Sequence, residues 1–65
     1  MRLILHVPVH GATFMRVAVE VMDIDTVTRT MAGRGRVVMN DGVVWDVLNI
    51  DTVIEALTLD LEAES

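Results

Sequence analysis

Residues 35–48, GRVVMNDGVVWDVL, decide the fold because they predict a β-hairpin with a defined register. The loop residues Asn40, Asp41 and Gly42 are typical of a three-residue hairpin connection, in which a type I turn ends on a glycine in the left-handed region. This loop predicts three cross-strand pairs, which are Met39 with Val43, Val37 with Trp45, and Arg36 with Asp46. One face of the hairpin thereby gains an apolar stripe and the other an opposite-charge pair.

A second hairpin is predicted upstream, around Gly11. Residues 3–9 and 13–22 alternate apolar and polar side chains with period two, which is typical of half-buried strands. Pro8 cannot donate to a ladder hydrogen bond, so it predicts an edge position or a bulge. Residues 24–32 keep some helical spacing but are rich in β-branched threonine and valine, and we therefore predict a strand there.

The end of the chain predicts a helix. Its apolar side chains fall on one narrow stripe, at Ile50, Val53, Ile54, Leu57 and Leu61. Thr52 and Glu55 match the capping-box pattern that marks a helix N-terminus. Residues 57–62 also alternate strictly, so a final strand stays open as the alternative.

Together these elements predict an α+β fold. We expect a small twisted antiparallel sheet of four or five strands, built from two hairpins, with one C-terminal helix lying across one face. The alternative is an all-β small barrel of the SH3 or Sm type, which would form if residues 51–61 were a strand. Residues 1–61 are assigned to a single small domain and residues 62–65 to a frayed acidic tail.

Residues 17–27 and residues 43–53 have similar sequences, and we call this internal similarity the echo. Each copy has an acid in the fourth place and ends on Ile-Asp-Thr-Val. A true repeat and chance similarity in a valine-rich chain both stay open. The echo suggests that Asp25 and Asp51 accept backbone N–H bonds in equivalent turns.

The composition predicts self-association. Hydrophobic residues make up 52% of the 65-residue chain, and there is no cysteine that could form a stabilising disulfide. A domain of this size buries only about 60% of the surface that its unfolded chain exposes, so we expect a homo-oligomer. Residues 1–36 carry all five arginines and three acids, a charge of +2, whereas residues 37–65 carry seven acids and no base. These opposite charges favour head-to-tail attraction between copies, the alternative being an ordinary solvated acidic tail.

The residue types of covalent catalysis are scarce. Cysteine, lysine and tyrosine are absent, and the only serine is Ser65. We therefore predict a protein that is not an enzyme and uses no cofactor. His6 and His10 would share a helix face, but Pro8 between them disfavours a helix, and on a strand they lie too far apart to chelate one ion. No metal site is predicted.

The segment AGRGR, residues 32–36, carries the strongest binding pattern. Glycines let a backbone approach a ligand closely, and arginine guanidinium groups bind phosphate or carboxylate. The candidate ligand-binding residues are Arg29, Gly33, Arg34, Gly35 and Arg36. No Walker lysine accompanies them, so the segment is not a P-loop. The alternative is a flexible turn whose glycines supply positive φ and whose arginines are solvated or pair with Asp46.

These features predict a small, non-enzymatic binding or regulatory protein that acts as a homo-oligomer and binds or sequesters a partner, as a phage- or actinobacterium-type accessory protein would. The partner is expected to be a protein or an anionic small ligand. The net charge of −5 argues against duplex nucleic acid. Long apolar runs and targeting patterns are absent, which predicts no membrane partner and a cytoplasmic location. Two alternatives stay open: an anion or nucleotide sponge that uses the Gly-Arg-Gly-Arg loop at a subunit interface, and a purely structural assembly subunit.

Residues 37–57 resemble the layout of the small FlbD-type flagellar proteins. They comprise an apolar run, an Asp-Gly turn, a second apolar run and then Val53-Ile54-Glu55-x-Leu57. The resemblance covers about a third of the chain, and the lysine-containing positions usual in that family are missing here. It therefore carries no functional residue onto this sequence.

Overall fold

The computed structural model describes the backbone of residues 1–64 and the side chains of residues 1–60. The elements in chain order are β1 (Arg2–Pro8), β2 (Phe14–Glu20), a 3₁₀ turn (Val21–Asp23), β3 (Ile24–Met31), β4 (Arg34–Met39), β5 (Val44–Val47) and α1 (Ile50–Glu64). The α+β class is confirmed, and the terminal helix excludes the all-β barrel. The single predicted sheet is wrong in one respect, because the five strands form a two-stranded sheet, β1–β2, and a three-stranded sheet, β3–β4–β5.

Helix α1 reaches Glu64, three residues beyond the predicted domain boundary. The frayed tail is predicted for residues 62–65. The side chains of these residues and the backbone of Ser65 lie outside the described part of the chain.

The predicted register of the β4–β5 hairpin is confirmed. Val37 lies opposite Trp45, and Arg36 lies opposite Asp46. The Met39 N–H donates to the Val43 carbonyl at 2.8 Å, closing the loop as expected. Gly42 has φ +92°, the left-handed conformation that the loop type requires.

The β1–β2 hairpin runs without a bulge through seven cross-strand pairs. Its odd-numbered residues make the ladder bonds, because the hydrogen bonds that continue the ladder join Val9 N to Thr13 O (3.1 Å) and Val21 N to Met1 O (2.8 Å). In an antiparallel pair the alternate residues direct their N–H and C=O groups to the other edge. Pro8 is even-numbered, so its missing N–H lies on the edge away from β2 and costs the hairpin no hydrogen bond.

The other edge of β1 is joined to the end of β5 by Leu48 and Asn49. The Leu48 N–H donates to the His6 carbonyl at 2.8 Å. The Asn49 Oδ1 accepts the His6 N–H at 3.0 Å, and Asn49 Nδ2 donates to the Ile4 carbonyl at 3.0 Å. One side-chain amide therefore takes the place of a strand residue and links the two sheets.

The core lies between the two sheets and the first turns of α1. Among the side chains that the structure describes, those buried in this core are aliphatic or methionine: Leu3, Leu5, Val37, Met39, Val47, Ile50 and Val53. The helix begins at Ile50, so Thr52 lies inside the first turn and the predicted capping box is wrong. The helix starts two residues before Thr52, at Ile50, whose side chain is fully buried in this core.

The shared Ile-Asp-Thr-Val parts of the two echo segments adopt different structures. Ile24–Val27 lies in strand β3, whereas Ile50–Val53 forms the first turn of helix α1. The equivalent turns expected around Asp25 and Asp51 are therefore not formed. Only the first halves of the two copies agree, because residues 17–20 lie in strand β2 and residues 44–47 in strand β5.

Candidate anion-binding site

The Arg-rich segment forms the β3–β4 hairpin. Met31 pairs with Arg34 across the turn, and Gly33 between them has φ +73°. A side chain at this φ would be strained, so the turn itself requires a glycine at position 33. The register of the hairpin shifts between Arg29 and Met31, which places an irregularity just before the turn.

The alternation of strand side chains separates the predicted arginines. Arg29 lies opposite Gly35, on the face that carries helix α1. Arg34 and Arg36 occupy alternate positions on β4 and so share the opposite face. The structure brings Arg34 and Arg36 together and leaves Arg29 on the other side of the sheet.

Two of these three arginines already hold a carboxylate. Arg29 Nη2 pairs with Asp51 Oδ1 in the first turn of α1, and Arg36 Nε donates to Asp46 Oδ1 at 3.2 Å. All four side chains are more than half exposed, so each pair contributes no more than about 1 kcal/mol. Both pairs join the basic and acidic halves within one chain.

Gly35 is buried, and its missing side chain makes room for the helix. A Cβ at this position would overlap the Ile50 side chain and the Thr28 carbonyl oxygen. The absence of a side chain lets α1 begin directly against the middle of the sheet. The close approach that the structure shows at Gly35 is therefore that of the Ile50 side chain.

Arg34 is different, because it lines an open cleft and has no ion-pair partner among residues 1–60. The cleft has a volume of about 250 Å³. Chain segments far apart in the sequence form it: Pro8, Thr30, Met31, Arg34, Gly35, Asp46, Val47 and Leu48. It therefore combines one guanidinium group with apolar walls, while Asp46 at its border is already engaged by Arg36.

A second cavity of about 400 Å³ lies at the opposite end of β4. Asp23 and Asp41 line it together with the apolar side chains of Met39, Val43 and Trp45. Asp41 Oδ1 accepts the Val43 N–H at 3.0 Å, so this carboxylate stabilises the loop. The cavity contains no basic side chain, and an anion would be repelled there.

The two histidines lie at one end of β1. The His6 ring stacks on Phe14 with a centroid distance of 4.6 Å, and His10 lies between β1 and β2. Across residues 1–60, no three histidine, aspartate or glutamate side chains come close enough to hold a metal ion.

Sequence reasoning missed Asn49 and the apolar walls of the cleft. Asn49 stands between an apolar strand and a helix, where an N-cap is the ordinary interpretation. Pro8 and Leu48 join the cleft only because β1 docks beside the end of β5, a contact that no local pattern indicates.

No protein-family model matches the chain, and no curated protein and no solved structure matches it either. None of the described helical residues forms a helix that is long and apolar enough to cross a membrane.

Proposed function

We propose that this protein is a small, non-enzymatic binding or regulatory protein that acts as a homo-oligomer and holds an anionic group of its partner at Arg34. One observation carries the ligand side of the proposal. Among the three arginines of the β3–β4 hairpin, Arg34 alone has no carboxylate partner in residues 1–60, and it lines a cleft.

The walls of the cleft favour an anionic group that is attached to an apolar part. Guanidinium groups bind carboxylate and phosphate through paired hydrogen bonds. Pro8, Met31 and Leu48 add apolar surface beside Arg34, and Met31 is 60% exposed. An acidic side chain on a protein partner, or a small anion with an apolar part, would satisfy both features.

The assembly side of the proposal is supported by the exposed apolar surface. Within residues 1–60, ten large apolar side chains are at least 42% exposed, and Met22 reaches 81%. They are Met1, Ile4, Val9, Phe14, Met15, Met22, Met31, Val43, Val44 and Leu59. Association of copies would remove part of this surface from water, at about 25 cal/mol for each Å² buried. The same observation supports the alternative of a purely structural assembly subunit.

The test of the ligand side is a thermal-shift series with inorganic phosphate, citrate and ATP. Binding to the folded form should raise the melting temperature as the anion concentration rises. Arg34→Ala should abolish the shift. The matched control is Arg29→Ala, which removes the same charge from the same hairpin, because Arg29 lies on the opposite face, paired with Asp51, and does not line the cleft. No shift with any of the three anions, or an equal shift in Arg34→Ala, would refute the Arg34 site.

The assembly side is tested separately by sedimentation of the wild-type protein at micromolar concentration. We expect a multiple of the 7.2 kDa chain mass. A compact monomer at this concentration would refute the homo-oligomer. An oligomer whose melting temperature does not change with any of the three anions would favour the alternative of a purely structural assembly subunit.

A further inference from the structure

We propose that two copies of this chain pair antiparallel along the free edge of β2, about a two-fold axis at Ala18. The occupant of the edge is a second copy of the same strand. This inference rests on the homo-oligomer of the proposed function and names the surface that forms it.

The edge of β2 is a regular, unpaired template. Among the described strands, β2 pairs only with β1, and this pairing uses its odd-numbered residues. The N–H and C=O groups of Arg16 and Ala18 therefore point away from β1, toward the open edge. An exposed edge of this kind pairs readily with another strand, and β2 has neither a bulge nor a proline that would prevent it.

The charges along this edge are self-complementary. Arg16 and Glu20 lie two residues on either side of Ala18, and both share its face. A two-fold axis at Ala18 places Arg16 of each copy opposite Glu20 of the other, so the pair forms twice. Arg16 has no ion-pair partner among residues 1–60. The Glu20 side chain keeps 41% exposure although its two oxygens pair with Arg2 at 3.3 Å and with the N-terminal ammonium of Met1 at 3.9 Å.

The other face of the strand is apolar and only partly covered. Val17 and Val19 are half-buried, and Met15 is 45% exposed. In the proposed pairing Val17 of one copy lies opposite Val19 of the other. Two-stranded sheets are marginal in water, and this pairing would turn the β1–β2 sheet into a four-stranded one.

The other open edge, β3, is less suitable. Its pairing with β4 is irregular at two places, between Ile24 and Thr26 and between Arg29 and Met31. Bulges of this kind twist an edge away from a straight partner. The only base in the strand, Arg29, is already paired with Asp51.

A single cysteine at position 18 tests the pairing directly, because the chain has no cysteine of its own. In a hydrogen-bonded antiparallel pair the facing Cα atoms are about 5.5 Å apart. That separation lies within the range of about 4.4–6.8 Å that a disulfide spans. Ala18→Cys should form a disulfide-linked dimer at least about tenfold faster than Ala32→Cys, because pairing raises the effective thiol concentration. Ala32 is a matched control, being exposed and located in the β3–β4 turn.

Two further variants test the interface by loss of mass in sedimentation. Ala18→Pro removes an N–H that β1 does not use, and Arg16→Glu places two acids opposite each other. Both should reduce the mass of the oligomer, and Arg16→Glu decides alone if the proline variant does not fold. The β2 pairing would be overturned if Arg16→Glu had the same oligomer mass as the wild type, or if Ala18→Cys and Ala32→Cys cross-linked equally fast. Either result would still be compatible with a homo-oligomer formed through another surface. A monomeric wild type would overturn both.

Discussion

Replacing Asn49 by alanine should loosen the junction between the two sheets. The Asn49 amide makes two hydrogen bonds of 3.0 Å, one to the His6 N–H and one to the Ile4 carbonyl. A typical hydrogen bond contributes about 1 kcal/mol net, and a buried donor left without a partner costs about 1–3 kcal/mol. Because the His6 N–H is only partly buried and the bond to the Ile4 carbonyl is exposed, water can replace part of both bonds, and we expect the free energy of unfolding to fall by about 1–2 kcal/mol.

The isosteric variant Asn49→Asp separates the hydrogen bonds from the loss of packing. It keeps an acceptor for the His6 N–H, but at neutral pH it sets a carboxylate oxygen against the Ile4 carbonyl oxygen. Only the protonated carboxyl can donate there, so the folded state should raise its pKa above the ordinary value of about 3.9. A group with a raised folded-state pKa contributes stability below that pKa and loses it as the pH rises. The deficit of Asn49→Asp should therefore shrink on acidification, whereas that of Asn49→Ala should not.

Urea titration provides the measurement. Each variant is compared with the wild-type protein at the same pH and protein concentration, because association also contributes to apparent stability. A loss below about 0.5 kcal/mol in Asn49→Ala, the range of ordinary surface substitutions, would refute the role of the amide. So would a deficit of Asn49→Asp that grows at low pH.

Gly35→Ala should destabilise the protein by about 2 kcal/mol or more in urea titration, because the added methyl group overlaps Ile50 and the Thr28 carbonyl. Gly35→Ala should still destabilise the protein in an Ile50→Ala background, since the Thr28 carbonyl stays in place; a Gly35→Ala change that costs nothing in that background would show that the Ile50 side chain alone sets the limit. Arg29→Ala should cost less than about 1 kcal/mol, and the cost should shrink in about 1 M salt because the ion pair with Asp51 is exposed. A larger, salt-independent loss would contradict this assignment.

The β4–β5 hairpin could be predicted residue by residue because its information is local. The residues Asn40, Asp41 and Gly42 select the loop, and the loop length sets the register of Val37 against Trp45. The candidate site could not be assembled in the same way. Arg29 and Arg34 lie on opposite faces of the sheet because the register shifts between Arg29 and Met31. The sequence does not indicate this shift, so counting alternate residues does not predict which face each arginine occupies.

The echo shows where local reasoning ends. Ile24–Val27 and Ile50–Val53 have the same four residues, yet one segment is a strand and the other a helical turn. Propensities of individual residues differ by less than tertiary packing contributes. Ile50 enters the core beside Gly35, and that long-range contact decides its conformation.

Trp45 is the only tryptophan, and the chain has no tyrosine, so its intrinsic fluorescence comes from a single indole. The indole borders the cavity that Asp23 and Asp41 line. Their negative potential should repel iodide and admit caesium, so the two quenchers would report the local electrostatics with opposite bias. Trp45 directly precedes Asp46 and Val47 of the Arg34 cleft, so the same emission, compared between the wild type and Arg34→Ala, would follow unfolding while anions are titrated.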